Sequence, residues 1–179
     1  MAGWLADLDP ARHRTVAYVS GDARGDAAII VLACDRVVIS PNAVLGGSGH
    51  QAMNAEMVQS LIPGIREVAE KKFRSPSLAA AMIDPALRVF HYSRVQNGFT
   101  ETRYLDEEEL QELPEDEGWI KHGEITQAGK PLRITGKQAL EEYQLAWETA
   151  GNFGEFKRLF DLETDPELLE PAMVDELLE

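Results

Sequence analysis

One segment of the sequence decides the fold: residues 20–49, SGDARGDAAIIVLACDRVVISPNAVLGGSG. A turn of small residues leads into residues 26–34, whose three alanines and acidic start favour a buried helix. The β-branched run 36–40 predicts a strand, and a second strand is predicted before the turn, at residues 14–20. Strand, helix and strand at this spacing predict a parallel α/β core.

The turn before the predicted helix is a candidate site. A strand that ends at a glycine and feeds a helix leaves backbone N–H groups at the helix start, and these stabilise an anion or a developing oxyanion. In some hydrolases such a turn carries a nucleophilic serine. Here Arg24, Gly25 and Asp26 occupy it. Because such turns are also ordinary connections, the short motif alone leaves both interpretations open.

The whole segment resembles the nucleophile region of ClpP-class serine proteases. The resemblance is closest to the NfeD-like membrane-associated proteins, the partners of stomatin-type proteins. The matching parts are Ala33-Cys34-Asp35, VVISP at 37–41 and LGG at 45–47. IREVAEKKFRSPSLAAAMI (65–83) is similar to the family's helix pair after the site, and PLRITGKQALEEYQLAWETA (131–150) to its LxLTxxEAxxxGLA segment.

This resemblance covers residues 14–84 and 123–150. It implies an α/β fold of the ClpP/crotonase type, a parallel-sheet superhelix with flanking helices and small β-hairpins. Crotonases belong to the same fold family, and their helix also often ends in Ala-Cys-Asp. Residues 1–150 are the expected ClpP/crotonase-like domain, and 151–179 an acidic helical tail. The family's glycine-pair strand would precede residue 1, so we expect a fragment or a member shortened at its N-terminus.

The sequence departs from the family at both catalytic positions. Counted from the matching motifs, the family's serine falls at Gly25 and its lysine base at Glu56. A Ser–Lys dyad needs a hydroxyl and a neutral amine within hydrogen-bond reach, and neither residue supplies one. No lysine precedes residue 71. The resemblance therefore implies a protease-like domain, inactive or altered, with a role in assembly or peptide binding.

Two alternative functions remain open. Ser48 and His50 stand together in GGSGH and, with Asp26 or Glu56, would form a rebuilt Ser/His/acid site for acyl transfer in an active peptidase or hydrolase. The plainer interpretation is a turn at residues 48–49, with His50 capping a helix. A crotonase-like acyl-CoA binding protein is the second alternative. The expected oxyanion- or peptide-binding turn comprises Arg24, Gly25, Asp26, Gly46 and Gly47.

Composition limits the partners. With 17 basic and 31 acidic residues the net charge is −14, which argues against a general nucleic-acid binder. The single cysteine, Cys34, excludes an internal disulfide framework, and its apolar surroundings predict a buried, inert thiol. We expect no metal and no cofactor, because the histidines are scattered and no DxDxDG loop is present.

Partners and localisation follow mainly from the resemblance. It implies a peptide or protein partner, a membrane-associated stomatin-like partner, and a homo-oligomer. The sequence lacks an apolar run of about 18 residues and the features of a signal peptide at its start. We expect the chain itself to be soluble, although members of the family are membrane-associated, and the compartment stays open.

The rest of the chain predicts further elements. A helix is expected over 51–72, kinked or split at Pro63, and a short one from Pro76. Asn97-Gly98 predicts a hairpin, and a second hairpin is expected around 127–130. Thr135 is a predicted N-cap, residues 153–160 and 166–178 are predicted terminal helices, and the acidic residues 106–117 a flexible insertion. The apolar face of the long helix is predicted to hold Met53, Met57, Leu61, Ile65 and Val68.

Overall fold

The computed structural model describes residues 1–49, 53–114 and 118–167. Its helices are α1 (Ala2–Asp7), α2 (Asp26–Ala33), α3 (Ala55–Lys71), α4 (Pro76–Ala81), α5 (Glu107–Glu112), α6 (Gly136–Glu141) and α7 (Phe153–Leu159). Its strands are β1 (Val16–Val19), β2 (Arg36–Ile39), β3 (Val44–Gly46), β4 (Phe90–Gln96), β5 (Phe99–Leu105), β6 (Ile120–Glu124), β7 (Arg133–Thr135) and β8 (Glu148–Thr149).

A small parallel sheet lies at the centre, in the order β1-β2-β8. Val16 pairs with Arg36 and Val19 with Ile39, and α2 connects these two strands. The predicted strand–helix–strand unit is therefore confirmed. The mixture of helices and sheets is confirmed as well, and the sheets formed by the described residues hold two or three strands each.

The main core lies between this sheet, α2, α3 and α4. Its largest fully buried side chains include Leu32, Ile39, Leu45, Leu78 and Met82. Each such side chain contributes roughly 1.5–3 kcal/mol to folding relative to an exposed one. This packing fixes α2 and β3 against each other, and with them the predicted site.

Helix α3 confirms the predicted long helix and part of its predicted apolar face: Ile65 and Val68 are buried, whereas Met57 and Leu61 are exposed. It continues through Pro63 as one helix. Met57 is 51% exposed and Leu61 44%. In the first turn of α3 the core-facing residue is Val58, which lies about 100° further round the helix than Met57. The side chains that α3 buries are Val58, Ile65, Val68 and Ala69.

The first predicted hairpin is confirmed and the second is wrong. β4 and β5 pair in register around a two-residue turn at Asn97-Gly98, where both residues have positive φ. β6 pairs instead with β4, and β7 with β3, so residues 127 and 130 form an isolated bridge. Pairing with β3 buries Ile134 in the main core, which a local hairpin would not do.

The acidic segment was predicted to be a flexible insertion, and over residues 106–114 this is wrong. It contains α5, whose N-cap Asp106 is 2% exposed and ion-paired with Arg66 of α3. Asp106 N–H donates to the buried Ser77 hydroxyl, and that hydroxyl donates to Glu109. Two contacts to other helices therefore anchor α5. Residues 115–117 lie outside the described part of the chain.

The C-terminal part packs against the parallel sheet. α7 confirms the first predicted terminal helix, and its Phe156 stacks on Tyr18 of β1 at 4.7 Å between ring centres. Thr135 caps α6 as predicted, with Gln138 completing a capping box. Most of the second predicted terminal helix, 166–178, lies outside the described residues.

Candidate functional site

The turn between β1 and α2 lies directly beside the strand β3. Ala23 N–H donates to the Val44 carbonyl at 2.8 Å, and Gly46 N–H donates to the Ala23 carbonyl at 2.9 Å. Gly25 N–H donates to the Gly47 carbonyl at 3.0 Å. The structure thus brings together two glycine-containing turns that are about twenty residues apart in sequence.

Gly25 is the N-cap of α2 and has φ 53° and ψ −127°. This is a sharp strand-to-helix turn, the arrangement in which other hydrolases present a nucleophile. A Cβ atom at Gly25 would lie 3.0 Å from Gly49 Cα and 3.2 Å from Gly49 N. Any side chain here would therefore need both a strained backbone and a shift of Gly49.

The polar groups of the turn are largely engaged within the protein. The bond from Gly25 N–H to Gly47 directs that donor away from any ligand. Arg24 Nε donates to Asp22 Oδ2 at 3.0 Å, and this hydrogen bond and the arginine charge lower the pKa of Asp22 below its usual value. Arg24 is therefore part of a local ion pair with Asp22. Asp26 is exposed at the first position of α2.

Gly46 and Gly47 are required by close packing. A Cβ at Gly46 would lie 2.7 Å from Met82 Cγ and would also meet the Leu132 carbonyl. A Cβ at Gly47 would lie 2.5 Å from Cγ of Arg133. These glycines allow β3 to approach its neighbours, so their role is to shape the turn.

A cavity of about 430 Å³ opens beside this turn. Gly47, Ser48 and Gly49 line it, together with α3 and the segment that follows α4. This volume is within the range of protein sites for small ligands. Its apolar lining includes Met53, Val58, Met82 and Ile83.

The structure brings one of the two predicted replacement catalytic residues to this cavity. Ser48 lines it and is exposed. His50 lies outside the described residues, so its predicted partnership with Ser48 stays a prediction. Glu56 is exposed in the first turn of α3, and the residues of this helix that line the cavity are Ala55, Val58 and Gln59.

Sequence reasoning missed Asp84, which also lines the cavity and is 7% exposed. Its Oδ2 accepts a hydrogen bond from Gln59 Nε2 at 3.0 Å, and its Oδ1 accepts one from the Ala86 N–H at 2.8 Å. The signal was present in the sequence: Asp84 directly follows the apolar run AAAMI and precedes a proline. An acid at the end of a buried segment is a candidate for a site.

The Ala-Cys-Asp motif has a structural role in this chain. Lys72 Nζ lies 2.6 Å from Asp35 Oδ1, and Thr15 N–H donates to Asp35 Oδ2 at 2.7 Å. Burial opposes ionisation of Asp35, but these hydrogen bonds hold its pKa below the usual value. Burial raises the pKa of Cys34, as expected of an inert thiol. Arg74 donates to two carbonyls at the end of α2, those of residues 32 and 34.

The described residues lack two features that a metal site or a membrane span would need. They contain no group of three or more His, Cys, Asp or Glu side chains placed to hold a metal ion. Within the same residues, none of the helices combines the length and apolar character required to cross a membrane.

Comparison with known proteins gives one likeness. No protein-family model matches the sequence, and no curated protein matches it. Among solved structures, the chain is similar to a mutant of the 1510-N membrane-bound stomatin-specific protease. The two share 13% sequence identity with a TM-score of 0.46, and the likeness covers 86% of this chain and 58% of the other. The chain thus spans somewhat more than half the length of that protein.

Proposed function

We propose that this chain is a protease-like, peptide-binding domain of the NfeD-like ClpP class that lacks the Ser–Lys dyad. The observation that carries the proposal is Gly25, which occupies the strand-to-helix turn where a nucleophile would stand. Its positive φ and the 3.0 Å approach of a Cβ to Gly49 Cα mean that a serine here would need a strained backbone and a small shift of Gly49. The matching sequence motifs support assigning the α/β core to the ClpP/crotonase superhelix.

Binding without catalysis is supported by the cavity beside the turn. The cavity keeps a mostly apolar lining and is bounded by the backbone of residues 47–49. Extended peptides bind proteins through backbone hydrogen bonds and pockets for individual side chains. By the sequence resemblance, the partners we propose are peptide segments of other proteins, including a membrane-associated stomatin-like protein, and the binding unit is a homo-oligomer.

Two measurements on the purified chain test this proposal. Incubation with a peptide library, followed by mass spectrometry, should detect binding without cleavage. A serine-directed fluorophosphonate should leave the protein unlabelled, because on this proposal the strand-to-helix turn holds no serine nucleophile. Turnover of a peptide together with labelling of one serine would overturn the proposal.

An active hydrolase is the second candidate, favoured by the exposure of Ser48 in the cavity. In this case Ser48→Ala would abolish both labelling and turnover, and His50→Ala would reduce turnover strongly. A measured peptidase rate that Ser48→Ala leaves unchanged would exclude this assignment. An added panel of acyl-CoA thioesters tests the third alternative, since a crotonase-like binder would gain thermal stability from one of them.

A further inference from the structure

Asp84 is a buried carboxylate to which the described residues supply no basic partner. Both groups that hydrogen-bond it are neutral, namely the Gln59 amide and a backbone N–H, at 3.0 and 2.8 Å. Both act as donors, so the environment suits the ionised carboxylate, which accepts hydrogen bonds and donates none. Burying a charge is costly unless an opposite charge is close.

Two other carboxylates in this molecule, one buried and one part-buried, are each paired with a basic side chain. Asp106 is 2% exposed and pairs with Arg66, while the part-buried Asp35 pairs with Lys72. Asp84 is buried to a similar degree as Asp106, at 7% exposure, but it lines a cavity that solvent can enter. Its opposite charge can therefore come from a bound molecule.

The rest of the cavity lining fits a particular kind of cation. Met53, Val58, Met82 and Ile83 provide apolar contacts along the cavity. Lysine and arginine have apolar stems that pack along such surfaces and a charged head that needs a partner. The cavity volume of about 430 Å³ admits one such side chain together with adjacent backbone.

We propose that this cavity binds a lysine or arginine side chain of an extended peptide, with the cationic head paired to Asp84. The inference rests on the proposed peptide-binding function and specifies its ligand. The peptide backbone lies along residues 47–49, and the basic side chain enters between α3 and the segment after α4. Asp84 is then a specificity residue.

The test compares matched peptides. Isotope-labelled protein is titrated with acetylated, amidated alanine pentapeptides that carry lysine, arginine, norleucine or glutamate at the centre, and binding is followed by amide chemical shifts. We expect lysine and arginine to bind about tenfold more tightly than norleucine, a difference of about 1.4 kcal/mol, because their charged heads pair with Asp84 in an enclosed site. Glutamate should bind more weakly than norleucine.

Asp84→Asn is the matched variant, because asparagine retains an acceptor for the Ala86 N–H and can still bond Gln59 once that amide flips. It should reduce the lysine preference to below twofold. Glu163→Gln removes the same unit of charge at an exposed position and should leave the preference unchanged. Raising salt should weaken a general attraction to the acidic surface more than the enclosed pair.

The outcomes separate the two proposals. If wild-type protein binds the lysine and norleucine peptides equally, the lysine pocket is refuted while peptide binding stands. If the preference persists in folded Asp84→Asn, Asp84 is not its source and the inference is wrong. If none of the peptides in this set or in the library binds, the proposed peptide-binding function fails as well. The wild-type comparison alone decides the matter should Asp84→Asn not fold.

Discussion

Replacing Glu109 with glutamine should remove a pH dependence from the stability of this protein. Glu109 lies on α5, and its carboxylate accepts hydrogen bonds from the N–H of Ser77, at 3.1 Å, and from the Ser77 hydroxyl. Burial, and after it the neighbouring negative charge of Asp106, raise the pKa of Glu109 while Arg66 opposes them, and the resulting pKa is about 7. The folded state therefore holds this proton more tightly than the unfolded chain.

The sign and size of the effect follow from that difference. The usual pKa of glutamate is 4.5, so between about pH 4.5 and 7 the folded protein binds more protons than the unfolded chain. Stability from this group is fully present below pH 4.5 and is lost as the pH rises to about 7. The loss is on the order of 3 kcal/mol, an upper value because the side chain remains 20% exposed.

The assay is urea unfolding at several pH values between about 4.5 and 8, with wild type and Glu109→Gln side by side. The informative quantity is the difference in unfolding free energy between the two proteins. Other titrating groups, such as His91 with its lowered pKa, change the stability of both proteins equally with pH. We expect wild type to lose up to about 3 kcal/mol relative to the variant as the pH rises. The exposed Glu112→Gln on the same helix is the control. If the difference in unfolding free energy between wild type and Glu109→Gln stays constant with pH, Glu109 is not the source of the pH dependence.

Three further substitutions test the site and the core, each by urea unfolding. Gly25→Ala should destabilise the protein by about 1–3 kcal/mol or more, because residue 25 has a positive φ and the new Cβ would contact the neighbouring turn. The control Gly21→Ala should destabilise it far less, because there is open space around Gly21. Leu45→Ala should cost about 2–5 kcal/mol because Leu45 is fully buried, and Leu61→Ala, at a 44% exposed position, under about 1 kcal/mol. Arg74→Ala should cost about 2–4 kcal/mol, since it removes the donors to two carbonyls at the end of α2. If both variants of a matched pair lose the same stability, or if Arg74→Ala is as stable as wild type, the corresponding contact does not stabilise the protein as argued.

The elements that sequence predicts well are those that local interactions determine. The central strand–helix–strand unit follows from residue preferences and spacing within about twenty-five residues. The β4–β5 hairpin follows from Asn97-Gly98, whose positive φ values match the turn that joins twisted strands. The predicted cap at Thr135 also depends on a neighbour three residues away.

The elements that sequence mispredicts depend on distant partners. β7 has the residues of a local hairpin strand, but pairing with β3 buries Ile134 in the main core. The acidic composition of α5 suggests a solvated segment, yet Glu109 bonds a serine 32 residues earlier in the chain. Patterns of charge and hydrophobicity do not encode which distant surface will receive a strand or helix, so these contacts require the structure.

The candidate site shows the same division, and the contact between Gly25 and Gly49 links the strand-to-helix turn to the cavity. Counting along the sequence placed Gly25 in the turn, but its contact with Gly49, 24 residues later, could not be predicted locally. Gly49 belongs to the same turn as Ser48, and both line the cavity that holds Asp84. A serine at Gly25 would require Gly49 to shift by a few tenths of an ångström, and Gly49 lines the cavity. The turn and the cavity are thus in contact through Gly25 and Gly49, so a side chain added at residue 25 would change the cavity lining of the proposed binding site as well as the turn.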